Sequence, residues 1–192
     1  MSGWIVGLDL GQARDFTALA VLERVQGEGR PAEYRVRHLE RPPRGSSYPR
    51  VAARARELLE HPELRGASLV VDATGVGRPV VDLLREHALD PVAVTITAGD
   101  APGGSGSDLR VPKRDLVATL QVLLATGRLR VAASLPLART LERELLAFRA
   151  RVTPAGHDAY ETGEAEHDDL VLAVALACWW GERQGGELQV FL

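Results

Sequence analysis

Lysine and cysteine are nearly missing from this 192-residue chain, and each shortage excludes a class of function. Lys113 is the only lysine and follows Pro112, so the sequence contains no GxxxxGK[ST] loop and P-loop ATP hydrolysis is excluded. Cys178 is the only cysteine and lies in an apolar stretch, which excludes a disulfide framework and a zinc site built on cysteine pairs. We therefore expect a protein of a reducing, cytoplasmic compartment.

Long hydrophobic runs are also absent. The longest, residues 170–180, falls short of the roughly 20 apolar residues that span a bilayer, and no basic segment leads into an apolar one at the N-terminus. We expect a protein that is neither secreted nor embedded in a membrane. With 45% hydrophobic residues, the chain is long enough for one domain with a full core, and we expect a single domain over 1–192.

The pattern of apolar residues in the first half predicts alternating strands and helices. The expected elements are strands at 4–10, 17–25 and 33–39, a helix at 48–60, a strand at 68–74, a helix at 77–87 and a strand at 91–98. The first three strands read as an antiparallel meander. This order is typical of the ribonuclease H-like fold, an α/β fold with a mixed five-stranded sheet: three antiparallel strands, then β-α-β units, with helices on both faces.

The second half is expected to be mainly helical. A mobile Gly/Ser-rich loop is predicted at 99–110. The expected elements beyond it are a helix at 112–126 with Pro at its first position, a short segment "RLRVA", a helix at 135–149, a β-hairpin at about 149–162, a helix at about 168–183 and a tail at 184–192.

Two aspartates interrupt strands that otherwise read as fully buried. Asp9 lies in "GWIVGLDLGQ" and Asp72 in "SLVVDAT", and a buried carboxylate is costly unless it is paired, hydrogen-bonded or bound to a cation. In the expected topology the first and fourth strands are neighbours, so both acids lie near the carboxyl ends of the strands, where open α/β sheets bind ligands. "HDD" opens the last apolar helix and adds Asp168 and Asp169.

Carboxylates gathered in a low-dielectric place repel one another unless a cation compensates them. Oxygen ligands favour Mg²⁺ or Mn²⁺ over zinc, and two such ions about 3.5–4 Å apart support hydrolysis of a phosphodiester. The candidate metal ligands and catalytic residues are therefore Asp9, Asp72, Asp168 and Asp169. Simpler interpretations stay open: Asp72 as a turn residue, and Asp168 or Asp169 as a helix N-cap.

Asp15 and His167 are candidates for supporting positions around the metal, although a turn residue and a surface or capping histidine are the alternatives. A formal charge of −3 speaks against DNA as a partner, yet two divalent ions bound by four carboxylates would bring it to +1. Candidate phosphate contacts are basic residues at helix starts or on the expected hairpin, each otherwise a solvated surface charge: Arg78, Lys113, Arg114, Arg149 and Arg151.

Four stretches resemble the nuclease domain of the large terminase subunit of tailed bacteriophages, which cuts concatemeric DNA during genome packaging. They are "IVGLDLGQARDFTALAVLE" (5–23), "LVVDATGVGRPVVDLLRE" (69–86), "VPKRDLVATLQVLLATGRLRV" (111–131) and "EHDDLVLAVALACWW" (166–180). The stretches run in the family's order and cover nearly the whole chain. The pair "VDATGVG" and "HDDLVLA" is the most specific part of the resemblance.

This resemblance implies an endodeoxyribonuclease that depends on Mg²⁺ or Mn²⁺, with two ions, and acts on double-stranded DNA. Asp9 and Asp72 match the family's first two metal-binding acids, and the Asp168–Asp169 pair matches the third, with Asp169 the preferred ligand. The hairpin at about 149–162 is implied in the approach of DNA.

A full large terminase begins with an ATPase domain that this chain lacks. Implied partners are a separate terminase ATPase domain, the small terminase subunit and the portal, in the cytoplasm of a bacterial host. The chain is then part of a longer protein, a split gene or a prophage remnant.

Three other functions stay open. Residues 7–23 also resemble the first phosphate loop of actin-like ATPases and sugar kinases, although 192 residues leave no room for the second domain of such phosphotransferases. A Holliday-junction resolvase or transposase of the same fold would carry the same acids, and dimerisation and junction preference would distinguish it. A DNA-binding remnant without activity is the third, and the intact acids speak against it.

Overall fold

The computed structural model describes residues 2–11, 15–75, 77–99, 101–147, 149–152, 158–161 and 168–186. The strands in these ranges are β1 (Ser2–Asp9), β2 (Ala18–Val25), β3 (Glu33–Glu40), β4 (Ser68–Asp72), β5 (Pro91–Thr97), β6 (Gly103–Ser105), β7 (Asp108–Pro112), β8 (Leu129–Val131), β9 (Arg149–Val152) and β10 (Asp158–Glu161). The helices are α1 (Tyr48–Leu59), α2 (Gly77–Glu86), α3 (Lys113–Ala125), α4 (Ala138–Ala147) and α5 (Asp169–Gly186), with a 3-10 turn at Pro62–Leu64.

A mixed sheet of eight strands organises the described chain, in the order β6-β7-β5-β4-β1-β2-β3-β8. β1, β2 and β3 pair antiparallel as a meander. β1 also pairs in parallel with β4, which pairs in parallel with β5. The meander and the adjacency of the first and fourth strands are the arrangement that the sequence predicts.

The sheet is wider than the five strands expected. β7 and β6 extend it beyond β5, and β8 extends it beyond β3. Part of the expected loop at 99–110 therefore forms strands, and Gly104 and Gly106 turn the chain there with φ values of 89° and 59°. Pro112, expected as the first residue of a helix, instead ends β7 and is the N-cap of α3. The helix expected at 135–149 is the shorter α4.

Helices cover both faces of the sheet. α1 and α2 pack on one face, where Val6 and Leu8 of β1 contribute to the core. α3 and α5 pack on the other, together with Ile5. Because alternate residues of a strand share a face, Gly7 and Asp9 lie on the same side as Ile5. Asp9 therefore lies on the side of the sheet that α5 covers.

A close crossing of α5 over β1 fixes the start of this helix. A Cβ added to Gly7 would lie 1.9 Å from the carbonyl oxygen of Ala173, so only glycine lets the two backbones approach this closely. Asp169 lies one turn before Ala173, and Asp9 lies two residues after Gly7. The crossing therefore brings the first turn of α5 beside the end of β1.

β9 and β10 pair antiparallel in a separate two-stranded sheet, within the segment where the sequence predicts a hairpin. Residues 187–192 of the expected tail lie outside the described residues, whereas 184–186 belong to α5. In the described ranges, no helix combines the length and apolar character needed to cross a membrane.

Candidate metal centre and active site

Asp9 and Asp72 end two neighbouring parallel strands. The register aligns Leu8 with Val71, so the next residue in each strand is an aspartate. Val70 packs in the core beneath α5, and strand alternation places Asp72 on that same side. Both aspartates are buried, with 8% of each exposed. The two acids that interrupt apolar strands thus lie at one edge of the sheet, on one face.

The first turn of α5 brings two more acids to this edge. Asp169 is the buried first residue of the helix, and Asp168 before it is partly exposed. Arg41 Nη2 donates to Asp169 Oδ2 at 2.9 Å. Lys113 Nζ lies 3.3 Å from Asp168 Oδ2. Each acid at the start of α5 is therefore paired with a cation of the protein itself.

Asp9 is strongly disfavoured in its charged form. Burial raises the pKa of the Asp9 carboxyl well above its usual range. The negative charges that raise this pKa further belong, in decreasing order, to Asp72, Asp169, Asp168 and Asp15. These five acids thus share one electrostatic neighbourhood, in which a bound divalent cation would favour the charged carboxylates.

The pKa of Asp72 is likewise raised by burial. Hydrogen bonds from Thr74, one of them from its backbone N–H at 2.7 Å, oppose this shift and so does the charge of Lys113. The positive charge of Lys113 therefore interacts with acids of two elements, Asp72 at the end of β4 and Asp168 just before α5.

The carboxylates at this edge accept hydrogen bonds from other groups of the protein. Among the described residues, no group of three or more Asp, Glu, His or Cys side chains could hold a metal ion in the arrangement seen. Arg41, Lys113 and the Thr74 backbone N–H take up carboxylate oxygens instead. The atoms available as metal ligands at this edge are carboxylate oxygens, which are the ligands that Mg²⁺ and Mn²⁺ prefer.

The other predicted residues come from several parts of the chain. Arg114, next to Lys113, has its Nε 3.8 Å from Oδ1 of the adjacent Asp115. Asp15 is exposed in the connection between β1 and β2. Arg149 and Arg151 lie on β9, where the strand but not these side chains is described. His167 lies outside the described residues.

A cleft of about 430 Å³ opens on the α2 side of the sheet, across the sheet from the face that holds Asp9 and Asp72. Arg78, exposed in the first turn of α2, and Arg110 of β7 line it together with Ala73, which directly follows Asp72. A larger and more apolar cavity of about 600 Å³ is lined by α3, β8 and α4, and none of the predicted acids contributes to it. None of these acids lines the smaller cleft either, and Asp108 lines it beside the two arginines.

Glu144 is a buried residue at this edge that the sequence analysis missed. Its Oε2 accepts hydrogen bonds from the backbone N–H groups of Leu170 at 3.0 Å and Val171 at 3.2 Å, so Glu144 caps the first turn of α5. Its Oε1 accepts a hydrogen bond from Arg41, which is the second missed residue. Burial raises the pKa of the Glu144 carboxyl to about 7, although Arg41 and both N–H groups favour the charged form.

The sequence offers one weak sign of Glu144 and none of Arg41. Glu144 follows Leu141 by three residues and so shares the buried side of α4, where an acid is out of place. Arg41 directly follows β3 and reads as an ordinary charged residue at a strand end. Only the approach of α4 and α5 to that end gives it a role.

Comparison with known proteins gives matches across nearly the whole chain. The family model of the Terminase RNaseH-like domain matches residues 6–178. The large terminase subunit of Thermus phage G20c is 25% identical over 174 residues, which are 91% of this chain and 31% of that protein. The chain thus spans about a third of the length of this relative.

Solved structures show the same fold. The large terminase nuclease from thermophilic phage G20c with bound magnesium has a TM-score of 0.70 and 25% identity, covering 92% of this chain and 80% of that one. For the large terminase nuclease domain of Thermus phage P74-26 the TM-score is 0.67, with 23% identity over 92% and 78% of the two chains. The bacteriophage SPP1 nuclease domain with bound Mn has a TM-score of 0.58 and 15% identity, covering 95% of this chain and 86% of that one. These likenesses confirm the expected ribonuclease H-like α/β fold.

Proposed function

The chain belongs to the Terminase RNaseH-like domain family, and from this premise we propose that it is a metal-dependent endonuclease that hydrolyses phosphodiester bonds of double-stranded DNA. The observation that carries the proposal is the convergence of four aspartates, from β1, β4 and the start of α5, at one edge of the sheet, where three of them are buried. By the resemblance to large terminases, the reaction is the cutting of concatemeric phage DNA during packaging.

The residues that would hold the metal are Asp9, Asp72, Asp168 and Asp169. Solved nucleases of phage G20c contain magnesium, cobalt or zinc, and the SPP1 nuclease domain contains Mn. We propose two Mg²⁺ or Mn²⁺ ions for this chain. When bound, such a pair lowers the pKa of water and stabilises the leaving oxygen of a phosphodiester.

The chain's own residues have separate tasks in this proposal. Asp9 and Asp72 lie on rigid strand ends, which fixes the ligand oxygens within the sheet. Lys113 lies 3.3 Å from Asp168, and Asp169 is held by its hydrogen bond from Arg41 at the start of α5. Water attacks the phosphorus in line as the P–O bond to the leaving oxygen breaks, without a covalent bond between DNA and protein.

DNA phosphates are the proposed ligands of the cleft on the α2 side of the sheet, where Arg78 and Arg110 provide charge. Arg114 at the start of α3 and the β9–β10 hairpin, with Arg149 and Arg151, are further proposed contacts. A terminase ATPase domain, the small terminase subunit and the portal are the proposed partners, in the cytoplasm of a bacterial host.

Cleavage of supercoiled plasmid tests this function. We expect nicking and linearisation with Mg²⁺ or Mn²⁺, none with EDTA, and a loss of at least about a hundredfold in Asp9→Asn. Asp82→Asn is the matched control, because Asp82 is an exposed aspartate that pairs with Arg85 on α2. Activity that survives in Asp9→Asn would remove Asp9 from the site. Preferential cutting of a four-way junction over plasmid would instead support the resolvase alternative.

A further inference from the structure

Arg41 holds a buried charge at the meeting point of three elements. It follows β3, its Nη2 donates to Asp169 at the start of α5, and the same nitrogen donates to Glu144 on α4. The Arg41 and Glu144 side chains are only 14% and 6% exposed. A guanidinium bound by two carboxylates in such a place interacts with them far more strongly than it would at the surface.

Glu144 ties this arginine to the position of Asp169. One of its oxygens accepts from Arg41 and the other accepts from the N–H groups of Leu170 and Val171, the two residues that follow Asp169. Arg41 and Glu144 therefore both bind the first turn of α5. The Asp169 carboxylate is held through its own oxygen and the helix turn is held through its backbone.

The Arg41 guanidinium also contacts an aromatic ring and keeps one nitrogen unpaired. The guanidinium carbon lies 4.7 Å from the centre of the Phe16 ring. Arg41 Nε is buried and has no hydrogen-bond partner among the described residues, which is unfavourable. The side chain thus gives up one hydrogen bond while its Nη2 reaches Glu144 and Asp169.

We propose that Arg41, held by Glu144, is a positioning residue that serves as the internal counter-ion of the acidic edge. It keeps Asp169 beside Asp9 when no divalent cation is present, so that the ligand is in place before the metal arrives. This inference rests on the proposed metal centre. It differs from a purely structural ion pair because the contribution of Arg41 to stability should then depend on the other charges at the edge.

Thermal unfolding with and without Mn²⁺ separates the two roles. In Arg41→Gln we expect a loss of about 5 to 10 °C in Tm without metal and a smaller loss with saturating Mn²⁺, because the metal replaces the missing charge. Arg41→Lys retains the charge and should recover at least half of the loss. Arg44→Gln is the matched control, because the Arg44 guanidinium carbon also lies over the Phe16 ring, 4.3 Å from its centre. This variant should leave the Mn²⁺-induced shift in Tm unchanged. Equal losses with and without Mn²⁺, or Lys as damaging as Gln, would overturn the proposal.

A metal-free arm keeps this test independent of the proposed function. If Mn²⁺ does not shift the Tm of the unaltered protein, the proposed metal centre is refuted. The counter-ion role is then judged without metal, from the Tm values of Asp9→Asn, of Arg41→Gln and of the double variant. We expect Arg41→Gln to lower the Tm less in the Asp9→Asn background than in the unaltered protein, because one repelling carboxylate is already gone. Strictly additive Tm changes would refute the counter-ion role.

Discussion

Asp9 is the residue whose charge should have the clearest effect on stability. Its pKa is raised on folding, by burial first and then by neighbouring acids. An acid whose pKa is raised on folding stabilises the folded state, and this contribution is complete below the pKa of the unfolded chain, near 3.8. The contribution is lost as the pH rises through the pKa of the folded protein. The metal-free protein should therefore be less stable at about pH 8 than at about pH 5.

Asp9→Asn should remove part of this pH dependence. At about pH 8 we expect the free energy of unfolding of the variant to exceed that of the unaltered protein by at least about 1 kcal/mol, because the repelled charge is absent. At about pH 5 we expect a smaller difference. Urea unfolding in EDTA at both pH values measures it, with Asp82→Asn as control. Identical pH profiles for the unaltered protein and Asp9→Asn would contradict the shift.

Single residues differ in how well the sequence reveals them. Asp9 and Asp72 could be predicted because an acid within an apolar strand breaks the pattern. Asp169 could be predicted only together with them, since an aspartate at a helix start is an ordinary cap. Arg41 and Glu144 could not, because a charged residue at a strand end or in an amphipathic helix is common and acquires meaning only through tertiary contact.

At the scale of elements, the cap on α5 links α4 to the acidic edge. Glu144→Ala removes the acceptor for the Leu170 and Val171 N–H groups and should lower the free energy of unfolding by about 2 kcal/mol. Glu144→Gln retains an acceptor oxygen and should lose less. Urea unfolding of the two variants measures the difference, and equal losses would show that the capping bonds are not what stabilises the helix start.

The crossing of α5 over β1 gives a second prediction at this scale. Gly7→Ala would place a Cβ 1.9 Å from the backbone oxygen of Ala173, so we expect a loss of about 2 to 3 kcal/mol in unfolding free energy. Gly3→Ala in the same strand is the matched control, because no atom lies within 4 Å of its added Cβ. A Gly7→Ala protein as stable as Gly3→Ala would argue against the close crossing.

Elements were predictable where they were long. β1 to β5 and the five helices follow from apolar periodicity over many residues. β6 and β8 have three residues each, and the glycines of β6 suggest a loop rather than a strand. Pro112 suggested a helix start, whereas its neighbour Val111 is buried in β7 as part of the sheet. The outer strands were missed because their pairing depends on the sheet already being there.

At the scale of the whole molecule, the proposed DNA binding by a chain of formal charge −3 requires local positive charge. Replacing both Arg78 and Arg110 by Gln should weaken DNA binding about tenfold at low salt and reduce the slope of log K against log salt by about 1 to 2. Fluorescence anisotropy in EDTA measures both quantities. Arg85→Gln is the control, because this exposed arginine lies outside the cleft, and an equal loss there would show that binding is not centred on the cleft.

Titration of the metal-free protein with Mn²⁺ in a calorimeter tests the metal centre most directly. The proposed centre predicts two Mn²⁺ ions per chain in the unaltered protein and in Asp82→Asn, and a loss of binding in Asp9→Asn, because Asp9 is the buried acid on which the other carboxylates act. An absence of Mn²⁺ binding in the unaltered protein, or equal binding in Asp9→Asn, would contradict it.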